Sequence, residues 1–197
     1  MNLKLVNIKQ LVTVSSEFNT PPKKRFRIGA AMRNLGVIEN AAVIIQKGRI
    51  SWCGKMSHLK KTSDDIDEFD CTDKVVMPGF VDSHTHLVFG GSREDEFAMR
   101  SAGATYQDIA EKGGGILSTV NKTREASKKD LKKSARKYLH SILKQGTTTI
   151  EIKSGYGLDM DTEIKMVEAI KELQEEEIVN VVSAFIGAHA VPPEYKG

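Results

Sequence analysis

The spacing of hydrophobic positions changes part-way along this chain. From Leu3 to Val14 and from Ala42 to Cys53 the apolar residues form short β-branched runs, the pattern of strands. Lys47-Gly48 separates Val43-Ile44-Ile45 from Ile50-Ser51-Trp52 and predicts the turn of a hairpin. Lys60 to Asp73 is polar, passes from basic to acidic, and reads as a linker. A small β domain over 1–73 and a second region over 74–197 follow. In the second region strand and helix patterns alternate. Ala104 to Glu111 predicts a short helix. Asp130 to Gln145 predicts a longer one, with Leu131, Ala135, Tyr138, Leu139 and Ile142 on one face and Gly146 ending it. Thr147 to Ile152 is a β-branched strand. Another helix follows, with Ile164, Val167, Ile170 and Leu173 inward, Met160 and Met166 assigned to the core, and Asp161 placed to cap its start. Ile178 to Ile186 is the next strand. Strands alternating with helices imply crossover connections and a parallel sheet, hence an α/β class. Periodicity alone permits either a barrel or an open doubly wound sheet.

The apolar run that opens the second region, Val75-Val-Met-Pro-Gly-Phe-Val-Asp-Ser-His84-Thr-His86, stops at two histidines one residue apart. Residues i and i+2 of a strand share a face, so His84 and His86 project the same way. Two imidazoles from one strand end can reach one divalent cation, and histidine nitrogen suits zinc and iron alike. Asp82 has the same parity and can serve behind the ligands.

Composition narrows the function classes. The 197 residues are 40% hydrophobic and 28% charged, with net charge +3. Intermixed charges of so small a bias give no reason to invoke nucleic acid or an acidic membrane surface, and a small-molecule partner is the expectation. The basic cluster Lys23-Lys24-Arg25-Phe26-Arg27, after Pro21-Pro22, reads as a solvated loop. Cys53 and Cys71 have neither zinc-site spacing nor the density of a disulfide framework, which fits a reducing cytoplasm. The amino terminus lacks a signal-peptide core, and no stretch approaches the ~18 apolar residues of a membrane helix.

Four further strings follow the His-x-His run in order: Leu87-Val-Phe-Gly-Gly-Ser-Arg93, Gly113-Gly-Gly-Ile116, Lys153-Ser-Gly-Tyr-Gly-Leu158 and Gly187-Ala-His-Ala-Val-Pro-Pro-Glu-Tyr195. The Pro-Gly-Phe-Val-Asp-x-His-x-His run resembles the first barrel strand of the amidohydrolase superfamily. Together with the other strings it resembles the imidazolonepropionase family, densely from Val75 onward and more loosely before it. The resemblance implies an incomplete TIM-like (β/α)8 barrel preceded by part of a small β domain. A barrel takes ~250 residues, so only its first three β/α units are expected in 74–197, and the chain looks like an amino-terminal half.

The implied reaction is metal-dependent hydrolysis of the cyclic amide 4-imidazolone-5-propanoate to N-formimidoyl-L-glutamate, a step of histidine degradation. The implied cofactor is one divalent metal, zinc or iron, with His84 and His86 as ligands. A further histidine and an aspartate ligand, and a glutamate acid/base residue, belong to later strands that this sequence lacks. Arg93 would offer its guanidinium fork to the propanoate carboxylate. Tyr156, between two glycines, would contact the substrate, and Tyr106 is a second-tier aromatic near the carboxylate. His189 would bind substrate and either polarise the ring carbonyl or move a proton. The family is commonly dimeric, so a homodimer is the expectation for the complete protein.

Other readings of these residues stay open. Arg93 can simply pair with Glu94 or Asp95, and Gly-Tyr-Gly is a common turn. Lys153 ends a strand but is set aside as a metal-bridging residue, because that lysine belongs to a later strand in related hydrolases. Gly113-Gly-Gly115 lacks the pattern of a phosphate loop and reads as a place of close backbone approach. His58 and His140 read as ordinary solvated histidines. Two rival functions remain: an amidohydrolase or deaminase acting on another heterocycle, and a noncatalytic metal-binding fragment.

Overall fold

The computed structural model describes residues 2–15, 28–61 and 65–195; the basic cluster at 23–27 lies outside them. The chain separates into two compact units, Met1–Pro78 and Gly79–Gly197.

The first unit is one five-stranded sheet built around β1 (Leu3–Val12). β2 (Val37–Gln46) pairs antiparallel with β1, and β3 (Arg49–Lys55) pairs antiparallel with β2. The hairpin between them turns at Lys47 and Gly48, whose φ angles of 51° and 74° are the mirror-image turn that suits twisted strands. The free edge of β1 takes two short parallel strands in succession, β4 (Asp67–Asp70) and β5 (Val75–Val76). Ile8, Leu11, Ala41, Val43, Cys53 and Cys71 form the core. Both cysteines are free, and burial pushes the Cys53 thiol up to about 11.

Two sequence expectations are corrected here. The polar stretch Lys60 to Asp73 is not only linker, because Asp67–Asp70 forms β4: backbone pairing with β1 needs no apolar side chains on an exposed edge. The run from Val75 to His86 is not one strand. Val75–Val76 belongs to the first sheet, Met77-Pro78-Gly79 breaks the ladder, and pairing resumes in a different sheet. Proline supplies no amide donor, and a Cβ at Gly79 would overlap the Thr148 side chain, with Oγ1 at 2.1 Å.

The second unit carries a three-stranded parallel sheet in the order β6 (Phe80–Thr85), β7 (Thr147–Lys153), β8 (Asn180–Ala184). Between β6 and β7 lie α1 (Glu94–Ser101), α2 (Tyr106–Glu111), α3 (Ile116–Glu125) and α4 (Lys128–Lys144), and α5 (Met160–Glu176) joins β7 to β8. Among the described residues strand order in this sheet follows chain order. Leu131, Ala135 and Leu139 of α4 and Met166, Ala169, Ile170 and Leu173 of α5 pack with Ile150, Ile152 and Val181 of the sheet. Full burial of each large aliphatic side chain there contributes about 1.5–3 kcal/mol.

Of the residues expected inward on α5, Met166, Ile170 and Leu173 are buried but Ile164 and Met160 are not. Ile164 is half exposed and Met160 is 74% exposed, while Thr162 and Glu163 are buried. Asp159, not Asp161, is the cap: its extended backbone lets its side chain accept the Thr162 N–H at 2.8 Å, whereas Asp161 is already helical. The last strand is shorter than expected, with Ile178 and Phe185 exposed beyond its ends. On α4, Tyr138 is 42% exposed rather than inward and stacks on Phe89 at 5.9 Å.

Candidate metal and substrate site

The carboxyl ends of β6, β7 and β8 bring together residues far apart in sequence. His84 lies in β6 and His86 just beyond it, with ring centroids 6.0 Å apart. The His86 ring lies 4.8 Å from Tyr156, which follows β7, and 5.0 Å from His189, which follows β8. Tyr156 and His189 meet edge to face at 5.8 Å. His84 and His189 are exposed, whereas His86 and Tyr156 are half-buried. A parallel α/β sheet places its working residues at this end of its strands.

His86 is the centre of the group. Burial pushes its pKa below 6.5, and the neighbouring charges of His189, His84 and Lys153 act in the same sense; a hydrogen bond with the Ser154 backbone opposes them. Its ring is therefore held toward the neutral form, the form that ligates metals. Its Nδ1 is buried with no hydrogen-bond partner. An unsatisfied buried acceptor or donor costs about 1–3 kcal/mol, so this nitrogen suits a partner that the protein itself does not supply. The pair His84 and His86 thus fits one side of a metal's ligand set. Among the described residues no three histidine, cysteine, aspartate or glutamate side chains converge to hold an ion alone. Asp82 does not reach a histidine ring; its carboxylate accepts the backbone N–H of His84 at 3.3 Å.

Arg93 and Tyr106 form a second group. Arg93 pairs neither with Glu94 nor with Asp95: its Nε and Nη2 both donate to Glu96 Oε2, at 2.8 and 2.6 Å. Those bonds with Glu96 are the main reason its pKa is raised, and the Tyr156 and Tyr106 phenols add smaller contributions. The other Glu96 oxygen accepts the Gly115 N–H at 2.9 Å, which fixes Arg93 beside the glycine loop. In that loop Gly113 and Gly115 have φ of 77° and 79°, and a Cβ at Gly114 would meet Ile109 O at 2.8 Å. The expected close approach of backbone is present. Tyr106 is exposed, and its hydroxyl would lie 3.6 Å from a Cβ at Gly115. Arg93, Glu96, Ile109 and Gly114 line a cleft of about 170 Å³.

Of the residues set aside, Lys153 pairs with Glu151, and His140 lies 3.1 Å from Glu177. Sequence reasoning missed Glu163, Arg124 and Glu96. The buried Glu163 binds the loop that carries Tyr156. Arg124 donates to Gly157 O at 2.7 Å and pairs with Asp159 and Glu194, each at 2.7 Å, so it ties the loop after β7 to the segment after β8. A glutamate three residues after Arg93 was the available signal for Glu96; Glu163 and Arg124 carried no local signal.

Comparison with solved structures places this architecture in a class. The chain is similar to atrazine chlorohydrolase TrzN from Arthrobacter aurescens TC1 complexed with zinc, with a TM-score of 0.58 and 17% identity over 93% of this chain and 35% of that one. A triazine hydrolase variant gives a TM-score of 0.61 at 15% identity, again over 93% of this chain and 35% of the other. The fold is shared with these solved structures over about a third of their length: a parallel sheet flanked by helices, and a small β domain. No protein-family model matches the sequence.

Sequence relatives are more specific. The chain is 50% identical over 193 residues to an imidazolonepropionase of Bacillus cereus, and 46% identical over 199 residues to that of Porphyromonas gingivalis. These matches run along 98% and 100% of this chain, which spans 44% and 46% of those two proteins.

Proposed function

We propose that this chain carries the metal- and substrate-binding strand ends of an imidazolonepropionase. Its reaction would be hydrolysis of the cyclic amide 4-imidazolone-5-propanoate to N-formimidoyl-L-glutamate. The observation that carries the proposal is identity of about half the residues across nearly the whole chain to proteins bearing that name.

His84 and His86 would hold the ion, zinc or iron, with the remaining ligands coming from strands outside this sequence, because two imidazoles fall short of the usual four. The unpartnered, neutral-leaning His86 ring supports that role. A bound divalent ion would acidify water and polarise a carbonyl. Arg93, held in place by Glu96, would bind the propanoate carboxylate through its guanidinium. Tyr156 would pack on the imidazolone ring beside His86. His189, exposed and beside both His86 and Tyr156, would hydrogen-bond the ring oxygen or carry a proton at its imidazole.

The test is to express the whole reading frame that encodes these residues and assay 4-imidazolone-5-propanoate, guanine and cytosine side by side. Preferential opening of the imidazolone ring is the expected result, since a neutral nucleobase gives Arg93 no carboxylate to hold. Faster turnover of either nucleobase would overturn the proposal.

A further inference from the structure

We infer that Glu163 is a positioning residue: its buried carboxylate shapes the loop after β7 so that the Tyr156 ring is set against His86. The inference rests on the reading of Tyr156 as a substrate contact, and it adds a residue that touches neither substrate nor metal. Glu163 is 3% exposed on the first turn of α5. Its Oε2 accepts the Gly155 N–H at 3.0 Å, and its Oε1 accepts the N–H groups of Gly157 and Leu158 at 2.7 and 3.0 Å. One carboxylate thus gathers three backbone donors from the four residues that flank and contain Tyr156. Among the described residues it has no ion-pair partner, so these amides are what compensate its burial.

The backbone is bent to make this possible. Gly155 has φ 115° and Leu158 has φ 56°, a left-handed value that a leucine rarely adopts. A Cβ at Gly157 would lie 2.8 Å from Glu163 N and 3.0 Å from its Oε1, so only glycine lets the loop close on the carboxylate. A Cβ at Gly155 would lie 3.0 Å from His189 Cβ, so the same loop conformation also packs against the segment carrying His189. Arg124 holds Gly157 from its carbonyl side while Glu163 holds its N–H. The Gly-Tyr-Gly segment is therefore fixed at both polar faces, and Tyr156 has little choice of direction.

The experiment is nuclear magnetic resonance on the selectively labelled product of the whole reading frame, reading amide exchange at Gly155, Gly157 and Leu158 and the through-space signal between the Tyr156 and His86 rings. In Glu163→Gln the single carbonyl oxygen can still accept from Gly157 and Leu158, but the new amide donor faces Gly155. Exchange at Gly155 should rise about tenfold, the other two should stay slow, and the ring signal should weaken. In Glu163→Ala all three amides should exchange about tenfold faster or more and the ring signal should vanish, with β7 and the middle of α5 still protected. An unchanged ring signal in both variants overturns the inference. So does equal acceleration across β7 and α5, which would make Glu163 a general stabiliser of the fold. Failure to hydrolyse imidazolone propanoate would strike the enzymatic reading alone, and these signals would still decide the role of Glu163.

Discussion

His86 and Tyr156 leave the ends of two neighbouring parallel strands and bring their rings within 4.8 Å, tilted by 36°. Packing there is one reason the imidazole is half-buried, and burial is the main cause of its lowered pKa. In the metal-free protein the His86 ring should titrate below 6.5, measured by its proton resonances against pH. The sign is that of a base whose folded pKa is depressed. Its neutral form is favoured by folding, so the associated stability is full above 6.5 and is lost as pH falls through the lower folded value. Tyr156→Ala should move the midpoint back toward 6.5.

Metal binding should depend on both histidines. Replacing either ligand, His84→Ala or His86→Ala, should weaken zinc binding by more than about 100-fold in the complete protein, judged against the roughly 10–100-fold cost typical of groups that merely support a ligand. Titration with a chromophoric chelator reads this directly. Retention of wild-type affinity in His86→Ala would remove that residue from the ion.

Arg93→Lys replaces a planar fork with a point charge. In the complete enzyme KM should rise about 10- to 100-fold, the scale of one charge-assisted hydrogen-bond pair, with kcat little changed. The pair with Glu96 adds a second expectation. Glu96→Gln should also raise KM, because the arginine loses the partner that holds it beside Gly115. An unchanged KM in Arg93→Lys would place the arginine outside the substrate site.

Much of this arrangement was legible in the sequence, for identifiable reasons. The period-two relation of His84 and His86 and the loops ending in Tyr156 and His189 are local features, and strands of one parallel sheet bring such ends together whatever lies between. The α4 core residues Leu131, Ala135 and Leu139 followed from helical spacing and are all buried. What failed depended on tertiary partners. Ile164 looks like a core residue by spacing, yet it is half exposed, while its neighbour Glu163, whose carboxylate takes the loop amides, is buried. Val75 and Phe80 belong to one apolar run, but nothing in that run says that its first two residues pair with β1.

Gly90 shows how tightly the strand-end loop is packed. A Cβ there would lie 2.3 Å from Lys122 O and 2.7 Å from Thr123 N, both backbone atoms of α3. The Gly90 N–H also donates to Thr123 Oγ1 at 2.9 Å. Gly90→Ala should destabilise the chain by about 1–3 kcal/mol through this overlap, seen as a lower urea midpoint.

The ion-pair ladder between α4 and α5 gives a separate pH dependence. Hydrogen bonds from Lys128 and Lys132 push the Glu172 carboxyl down to about 2 from 4.5. A carboxyl with a depressed folded pKa stabilises above 4.5, and that contribution disappears as pH falls from 4.5 through about 2. Glu172→Gln should flatten the fall in Tm across that window, and added salt should shrink the difference, since these ion pairs are partly open to solvent.

The most direct test of the central claim is hydrolysis of 4-imidazolone-5-propanoate by the product of the whole reading frame. Loss of the substrate's ultraviolet absorbance would be followed before chelation, after it, and after zinc or iron is returned. The account predicts turnover that chelation abolishes and metal restores in the wild type, with no restoration in His86→Ala. Turnover indifferent to chelation, or undiminished in His86→Ala, would contradict it.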